Sequence, residues 1–107
     1  MHFFTVKPYI VKRPEDVSTF EGEDIRLSCV FNGKPPPEVR WSRRNGLMPP
    51  ARSFTLEAGS VLVVKRAKPE DADEYFCLAE NAAGEARASA EVAVNCKCFK
   101  ELRLVDR

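Results

Sequence analysis

Four residues constrain the fold of this chain more than any other feature: Cys29, Trp41, Tyr75 and Cys77. Each lies in a segment where apolar and polar residues alternate, which is the pattern of a strand with one buried face. Alternation directs all four side chains toward one core. A tryptophan supplies bulk beside two cysteines, and a tyrosine two residues before the second cysteine can anchor that strand to the preceding backbone. The set predicts two packed β-sheets.

The length and composition fit one domain of this kind. The chain has 107 residues, of which 44% are hydrophobic and 31% are charged, which are ordinary proportions for a globular protein. Seventeen Lys and Arg residues against sixteen Asp and Glu residues give a net charge of +1, so no overall field attracts nucleic acid. No segment approaches the ~20 apolar residues that cross a bilayer, and we expect no direct membrane insertion.

The rest of the chain also reads as strands and turns, with no helical periodicity of useful length. Extended or alternating segments are separated by turns that contain glycine, proline, asparagine and acidic residues. The predicted strands cover residues 8–14, 17–20, 25–31, 39–42, 53–56, 61–64, 75–80 and 85–94.

The sequence also predicts one loop, one turn and the inward side chains of one strand. Residues 32–37 are predicted to form a loop, since proline is excluded from helix interiors and central strands. Residues 81–84 are predicted to form a hairpin turn between the last two strands. In the strand at 61–64, the inward side chains are taken to be Leu62 and Val64. The pattern as a whole indicates an antiparallel sandwich.

These motifs resemble the intermediate-set (I-set) immunoglobulin domains, which occur in cell-adhesion receptors, matrix proteins and giant muscle proteins. The matching motifs are Glu21-Gly22-Glu23 before Cys29, Asn32-Gly33-Lys34-Pro35 before Trp41, Pro69-Glu70-Asp71-Ala72 before Tyr75, and Ala79-Glu80-Asn81-Ala82-Ala83-Gly84-Glu85-Ala86.

The resemblance spans about residues 8–94. Residues 1–7 are then an N-terminal extension or linker, and residues 95–107 are a linker or tail. One position departs from the family pattern. Two residues before Tyr75 the family usually has glycine or alanine, whereas this chain has Asp73, which is not expected there but is tolerable on an exposed corner.

The resemblance implies an all-β, two-sheet antiparallel immunoglobulin-like sandwich with Greek-key connections. It also implies a structural disulfide between Cys29 and Cys77, with Trp41, Leu62 and Tyr75 in the core. Closing a loop of about 50 residues would stabilise the fold by about 4 kcal/mol in the chain-entropy model. Intracellular muscle members of the family carry similar pairs, so a reduced pair packed as two small apolar side chains is the alternative.

The segment before Tyr75 is expected to form the tyrosine corner of similar domains. The Tyr75 hydroxyl should donate a hydrogen bond to the main chain near Asp71. Asp71 itself is expected to pair with a basic residue at the sheet edge, for which Arg52 is the best candidate.

The sequence offers little for catalysis or metal binding. His2 is the only histidine and lies outside the matched region, so the domain has no Ser-His or Cys-His pair. Cys96 and Cys98 supply only two of the four ligands of a structural zinc site. We expect them to bond to a neighbouring domain or second chain, or to be free thiols. We expect no enzyme activity, no metal and no cofactor.

Two surfaces are candidates for binding a partner. In the first, alternation directs Phe76 and Leu78 to the outer face of their sheet, beside Arg40 and Ser42. Apolar side chains flanked by arginine have the composition of an interface core. The alternative is that they are ordinary exposed apolar residues, which need no explanation.

The second candidate surface is a cluster of basic residues near the proline-rich segment. Its members are Lys34, Arg40, Arg43, Arg44 and Arg52. Such a cluster could bind a sulfated glycan or an acidic protein through charge-assisted hydrogen bonds. The favoured alternative is a solvated face balanced by Glu38 and Glu57.

The expected function is non-catalytic. The resemblance implies a protein-recognition or spacer module of a larger multidomain adhesion, receptor or matrix protein, located outside the cell or at its surface. The alternative is a cytoplasmic module of a cytoskeletal or signalling scaffold, with reduced cysteines. In both cases we expect a protein partner, whose identity the sequence does not give.

Overall fold

Extended backbone dominates the computed structural model, which describes residues 4–96. Within that range the chain forms nine strands and two 3-10 turns, and no α-helix. The strands are β1 (Val6–Lys12), β2 (Val17–Phe20), β3 (Ile25–Ser28), β4 (Val30–Lys34), β5 (Glu38–Arg43), β6 (Ser53–Leu56), β7 (Val61–Val64), β8 (Asp73–Asn81) and β9 (Gly84–Asn95). The 3-10 turns are Glu57–Gly59 and Pro69–Asp71.

The strands form the two layers of a sandwich. One layer is a four-stranded sheet in the order β2-β9-β8-β5. Its strands are antiparallel except for the pair of β2 with β9, which is parallel. The other layer contains the sheet β3-β7-β6 and the pair β1-β4, which meet at Cys29. The Cys29 N–H continues the ladder by donating to Ser60 O at 2.8 Å. The all-β sandwich predicted from the sequence is confirmed.

The core between the layers is divided into two clusters. One surrounds Cys29 and Cys77, whose sulfur atoms are bonded to each other. The other contains Leu62 and Tyr75, which are fully or almost fully buried. Trp41 packs against both clusters, so its ring joins the two halves of the core.

A left-handed turn holds the Trp41 indole. Its Nε1–H donates to Gly59 O at 2.7 Å. Gly59 has a φ of +92°, and a Cβ there would lie 2.9 Å from Val39 O, so only glycine fits. The two preceding residues, Glu57 and Ala58, also have positive φ, at 52° and 58°. The turn that presents the Gly59 carbonyl to Trp41 therefore holds three successive residues at positive φ.

The predicted loop at residues 32–37 is shorter than expected. Residues 32–34 belong to β4 and pair with β1, where Tyr9 lies opposite Asn32. The strands continue because residue 33 is a glycine: a Cβ there would lie 3.2 Å from both Pro8 Cα and Val6 O, so glycine lets the two strands approach.

The paired strands extend slightly past both ends of residues 8–94. β1 begins at Val6 and β9 ends at Asn95.

Candidate functional site

The turn before β8 fixes the crossing between the two sheets. The Tyr75 hydroxyl donates to Asp71 O at 2.7 Å. The Asp71 carboxylate accepts two hydrogen bonds from Arg52, at 2.9 and 3.1 Å, and one from the Lys68 N–H at 2.8 Å. Burial by itself raises the pKa of Asp71, but these donors and the charge of Arg52 hold the pKa below its usual 3.8. This corner is structural.

The buried carboxylate of Asp73 is the centre of a second network, which we name the Asp73 clamp and define as Asp73, Arg43 and Asn45. Arg43 Nε and the Asn45 N–H both donate to Asp73 Oδ2 at 2.9 Å. Asn45 Nδ2 donates to Oδ1 at 3.1 Å, and the Glu74 N–H donates to the same oxygen at 2.7 Å. The clamp ties the end of β5 and its following turn to β8.

The expectation that Asp73 lies on an exposed corner is wrong. Its side chain is only 1% exposed, because Arg43 and the turn at Asn45 fold over it. Burial by itself raises the pKa of this carboxyl, but the hydrogen bonds from Asn45, Glu74 and Arg43 overcome that effect and lower it. Asp73 is therefore ionised and structural at neutral pH.

The structure holds Arg43, one of the candidates for partner binding, at the rim of an open depression and largely buried. Its side chain is 10% exposed, and besides Asp73 it donates to Glu70 O at 2.7 Å. Its guanidinium lies over the Tyr75 ring, 5.9 Å from the centroid. These contacts tie the guanidinium of Arg43 to the corner, and its part in partner binding stays a prediction.

The four arginines of the predicted basic cluster are paired with carboxylates. Besides Arg43, each of the other three arginines has its own acidic partner. The pairs are Arg40 with Glu80 at 2.8 Å, Arg44 with Glu74 at 2.7 Å and Arg52 with Asp71 at 2.9 Å. A sulfated glycan would have to compete with these carboxylates, so the cluster is not a ready anion site.

The β5–β8–β9 face, meaning the outward side chains of these three strands, is ordered in rows. Strand register aligns Ser42, Phe76 and Ser89 in one row, and Arg40, Leu78 and Arg87 in the next. Phe76 and Leu78 are half-buried on the central strand. They line an open depression of about 630 Å³. Two serines and two arginines thus flank an apolar centre.

Sequence reasoning missed a second apolar patch, on the outer face of β3, β6 and β7. Phe54 and Leu56 are 47% and 39% exposed. In the strand register they lie opposite Val63 and Val61, which are nearly buried. The signal was present in the sequence, because an unbroken run of four apolar residues at 61–64 is typical of a strand covered on both faces.

Of the remaining candidate residues, only Cys96 lies in the part of the chain that the structure describes. Cys96 is exposed and unpaired within the described range, and Cys98 and His2 lie outside that range. Among residues 4–96 no group of three or more His, Cys, Asp and Glu could hold a metal ion. In the same part of the chain, no helix is long and apolar enough to cross a membrane.

The features above define an immunoglobulin-like domain: a β-sandwich with a disulfide between its layers, a tryptophan beside the disulfide and a tyrosine anchored at the corner. The sequence model of the Immunoglobulin I-set domain matches residues 8–94. The chain belongs to this family, as its motifs indicated.

Curated relatives include two whose similarity covers most of the chain. Protein sax-3 of Caenorhabditis elegans is 34% identical over 88 residues, which are 82% of this chain and 7% of that protein. Netrin receptor DCC of Homo sapiens is 34% identical over 89 residues, which are 83% of this chain and 6% of that protein. The chain therefore spans only a small part of the length of these relatives.

Solved structures include a similar domain in a complex. A chain in the crystal structure of the titin M10–obscurin-like 1 immunoglobulin complex superposes with a TM-score of 0.78 at 34% sequence identity. The match covers 87% of this chain and 97% of that chain.

Proposed function

We propose that this chain is a non-catalytic protein-recognition module of a larger multidomain protein, and that it binds its partner through the β5–β8–β9 face. One observation carries the proposal. Phe76 and Leu78 are two large, half-buried apolar side chains at the centre of a face whose other rows are polar or charged. An apolar centre with a polar rim is the anatomy of a protein interface.

The backbone beneath this face is already ordered. β8 is paired on both sides, with β5 and with β9. Cys77, which lies between Phe76 and Leu78 in the sequence, is bonded to Cys29 of the other layer. A partner would not have to fold this strand, and the entropic cost of binding is correspondingly lower.

The rim of the face is ordered by ion pairs. Arg40 is held by Glu80 at 2.8 Å and Arg44 by Glu74 at 2.7 Å, and the Ser89 hydroxyl donates to Glu74 at 2.9 Å. These pairs reduce the rotamer freedom that the long side chains would lose on binding. They leave mixed charge at the rim, which suits a protein surface of mixed charge better than a polyanion.

We further propose an extracellular or cell-surface location, in an adhesion, receptor or matrix protein. The bonded Cys29–Cys77 pair and the similarity to sax-3 and netrin receptor DCC support this location. The likeness to the titin M10–obscurin-like 1 complex supports the alternative, a cytoplasmic scaffold module with reduced cysteines.

Thiol blocking before reduction distinguishes the two locations. Because Cys29 and Cys77 are fully buried, protein from its native source is denatured without reductant in the presence of an alkylating reagent, and is then reduced and treated with an isotopically distinct reagent. The extracellular proposal requires that Cys29 and Cys77 carry only the second label. Labelling of these cysteines after denaturation without reduction would contradict it, and the exposed Cys96 reports whether the first reagent acted.

Site-specific photo-cross-linking tests the binding face. A photoreactive amino acid replaces Ser42 or Ser89, on either side of Phe76, in the parent protein expressed in its own cells. The matched control carries the same amino acid at Arg26, which lies opposite Val63 on the outer face of the other sheet. The proposal requires one partner captured from both serine positions and not from Arg26. Capture from Arg26 alone, or from none of the three, would overturn it.

A further inference from the structure

The chain contains the dipeptide Asn-Gly twice, at Asn32-Gly33 and at Asn45-Gly46. The missing side chain of the glycine lets its backbone nitrogen reach the preceding asparagine side chain, so this dipeptide is prone to spontaneous deamidation. We propose that in the folded protein Asn45 is a deamidation site and Asn32 is not, and that the reaction at Asn45 opens the Asp73 clamp.

The reaction needs only water and a base. The base removes the proton from the Gly46 N–H, and the nitrogen forms a bond to Asn45 Cγ. The Cγ–Nδ2 bond breaks, and Nδ2 takes a proton back from the protonated base and leaves as ammonia, which gives a five-membered imide. Water then opens the imide at either carbonyl, which yields aspartate or isoaspartate. No oxidation or reduction occurs.

The surroundings of Gly46 permit the rotation that this attack requires. Both Asn45 and Gly46 are exposed. No heavy atom would lie within 4 Å of a Cβ at Gly46, so the turn stands in open space. No acceptor in residues 4–96 binds the Gly46 N–H. Only the hydrogen bond from Asn45 Nδ2 to Asp73, at 3.1 Å, holds the amide that must turn.

The surroundings of Gly33 forbid the same rotation. Asn32 and Gly33 lie inside β4, where Asn32 pairs with Tyr9 of β1. A Cβ at Gly33 would lie 3.1 Å from Asn81 Nδ2 and 3.2 Å from Val6 O. Asn81 Nδ2 itself donates to Val6 O at 2.9 Å. Reaction at Asn32 therefore requires a local opening of the β1–β4 pair.

The product at Asn45 is incompatible with the clamp. An oxygen would replace Nδ2, which now lies 3.1 Å from Asp73 Oδ1, so a charged acceptor would replace a donor. Two carboxylates in contact cannot both be ionised without repulsion. In isoaspartate the main chain also gains a carbon, which displaces the Asn45 N–H from Asp73 Oδ2. Asp73 then loses two of its donors, and the turn after β5 is released.

Peptide mapping tests the choice of site. The full 107-residue chain is incubated folded at physiological temperature and mildly alkaline pH, then digested with trypsin, which puts Asn32 and Asn45 in different peptides. We expect deamidation at Asn45 to be at least about tenfold faster than at Asn32, because Asn32 reacts only through local opening. In reduced, denatured chain the two rates should be similar. Similar rates in the folded chain, or no reaction at Asn45, would overturn the assignment.

A pair of variants tests the consequence. We expect Asn45→Asp to lower the melting temperature more than Asn45→Ala does, because both remove a donor and only the first adds a charge. Equal melting temperatures for the two variants would contradict the release of the clamp. If Asn45→Asp does not fold, the deamidated wild-type fraction is isolated by ion exchange, and faster hydrogen exchange of the Arg44 and Asn45 amides is the required result.

Discussion

Arg43 and Asp73 form an ion pair of 2.9 Å in which both side chains are almost removed from solvent. Arg43 is the last residue of β5 and Asp73 is the first residue of β8, so the ion pair lies at one end of the β5–β8 strand pair. The same guanidinium lies over the Tyr75 ring and donates to Glu70 O. One side chain therefore connects the clamp to the tyrosine corner.

Replacement of Arg43 should destabilise the fold strongly. Arg43→Ala leaves the Asp73 carboxylate buried without its cation, and we expect a loss of about 3 kcal/mol in the free energy of unfolding. The matched control is Arg40→Ala on the same strand, whose ion pair with Glu80 is 63% and 52% exposed, and which should cost less than about 1 kcal/mol. Urea unfolding of both variants gives the comparison, and equal losses would contradict the structural role of the clamp.

Acid should unfold the domain through Asp71 and Asp73. The pKa of each is lower in the folded protein than the usual 3.8. A carboxyl of this kind stabilises the fold at pH values above its unfolded-state pKa, and the contribution is lost as the pH falls through the folded-state pKa. We expect the melting temperature to decrease below about pH 4. Asp73→Asn should show a shallower decrease than wild type, and an identical slope would exclude Asp73 as a contributor.

The residues that fill the core could be predicted because their signal is local. The alternation of apolar and polar residues predicts that Cys29, Trp41 and Tyr75 face inward, and this prediction does not require knowledge of the residues they contact. Asp73 had no such signal. Its burial depends on Arg43 and Asn45, and no periodicity shows that a distant arginine will fold over a turn. The sequence also does not show which carboxylate lies beside Arg43, so Arg43 was predicted to belong to a solvated basic cluster.

The surfaces were only partly predictable for a related reason. Alternation identified the outward positions of Phe76 and Leu78, and their role in binding stays a prediction. Phe54 and Leu56 lie on a short edge strand, where four residues are too few for a clear pattern. Only the register with β7 shows that they cover Val61 and Val63.

Removing the backbone strain at Ala58, in the left-handed turn before β7, should stabilise the protein. Ala58 has φ 58° and ψ 34°, a conformation that costs a residue with a Cβ about 1 kcal/mol relative to glycine. Ala58→Gly should therefore raise the free energy of unfolding, by less than this amount because glycine also adds entropy to the unfolded chain. Gly59→Ala is the opposite control and should be strongly destabilising, since its Cβ would meet Val39 O. Thermal unfolding of both variants measures the effect, and a loss of stability in Ala58→Gly would refute the assigned strain.

Two phenylalanines on opposite faces test which surface binds the partner. Phe76→Ser removes the apolar centre of the β5–β8–β9 face, and we expect at least a tenfold weaker affinity for the cross-linked partner, corresponding to about 1.4 kcal/mol. Phe54→Ser removes a side chain of similar size from the outer face of the other sheet, and the affinity should stay close to that of wild type. Surface plasmon resonance on the full chain gives both affinities, and the melting temperatures show whether each variant is folded. Weaker binding by Phe54→Ser alone would move the site to the other sheet. A collapse of stability in Phe76→Ser, with unchanged affinity of the folded fraction, would show that Phe76 serves packing and not recognition.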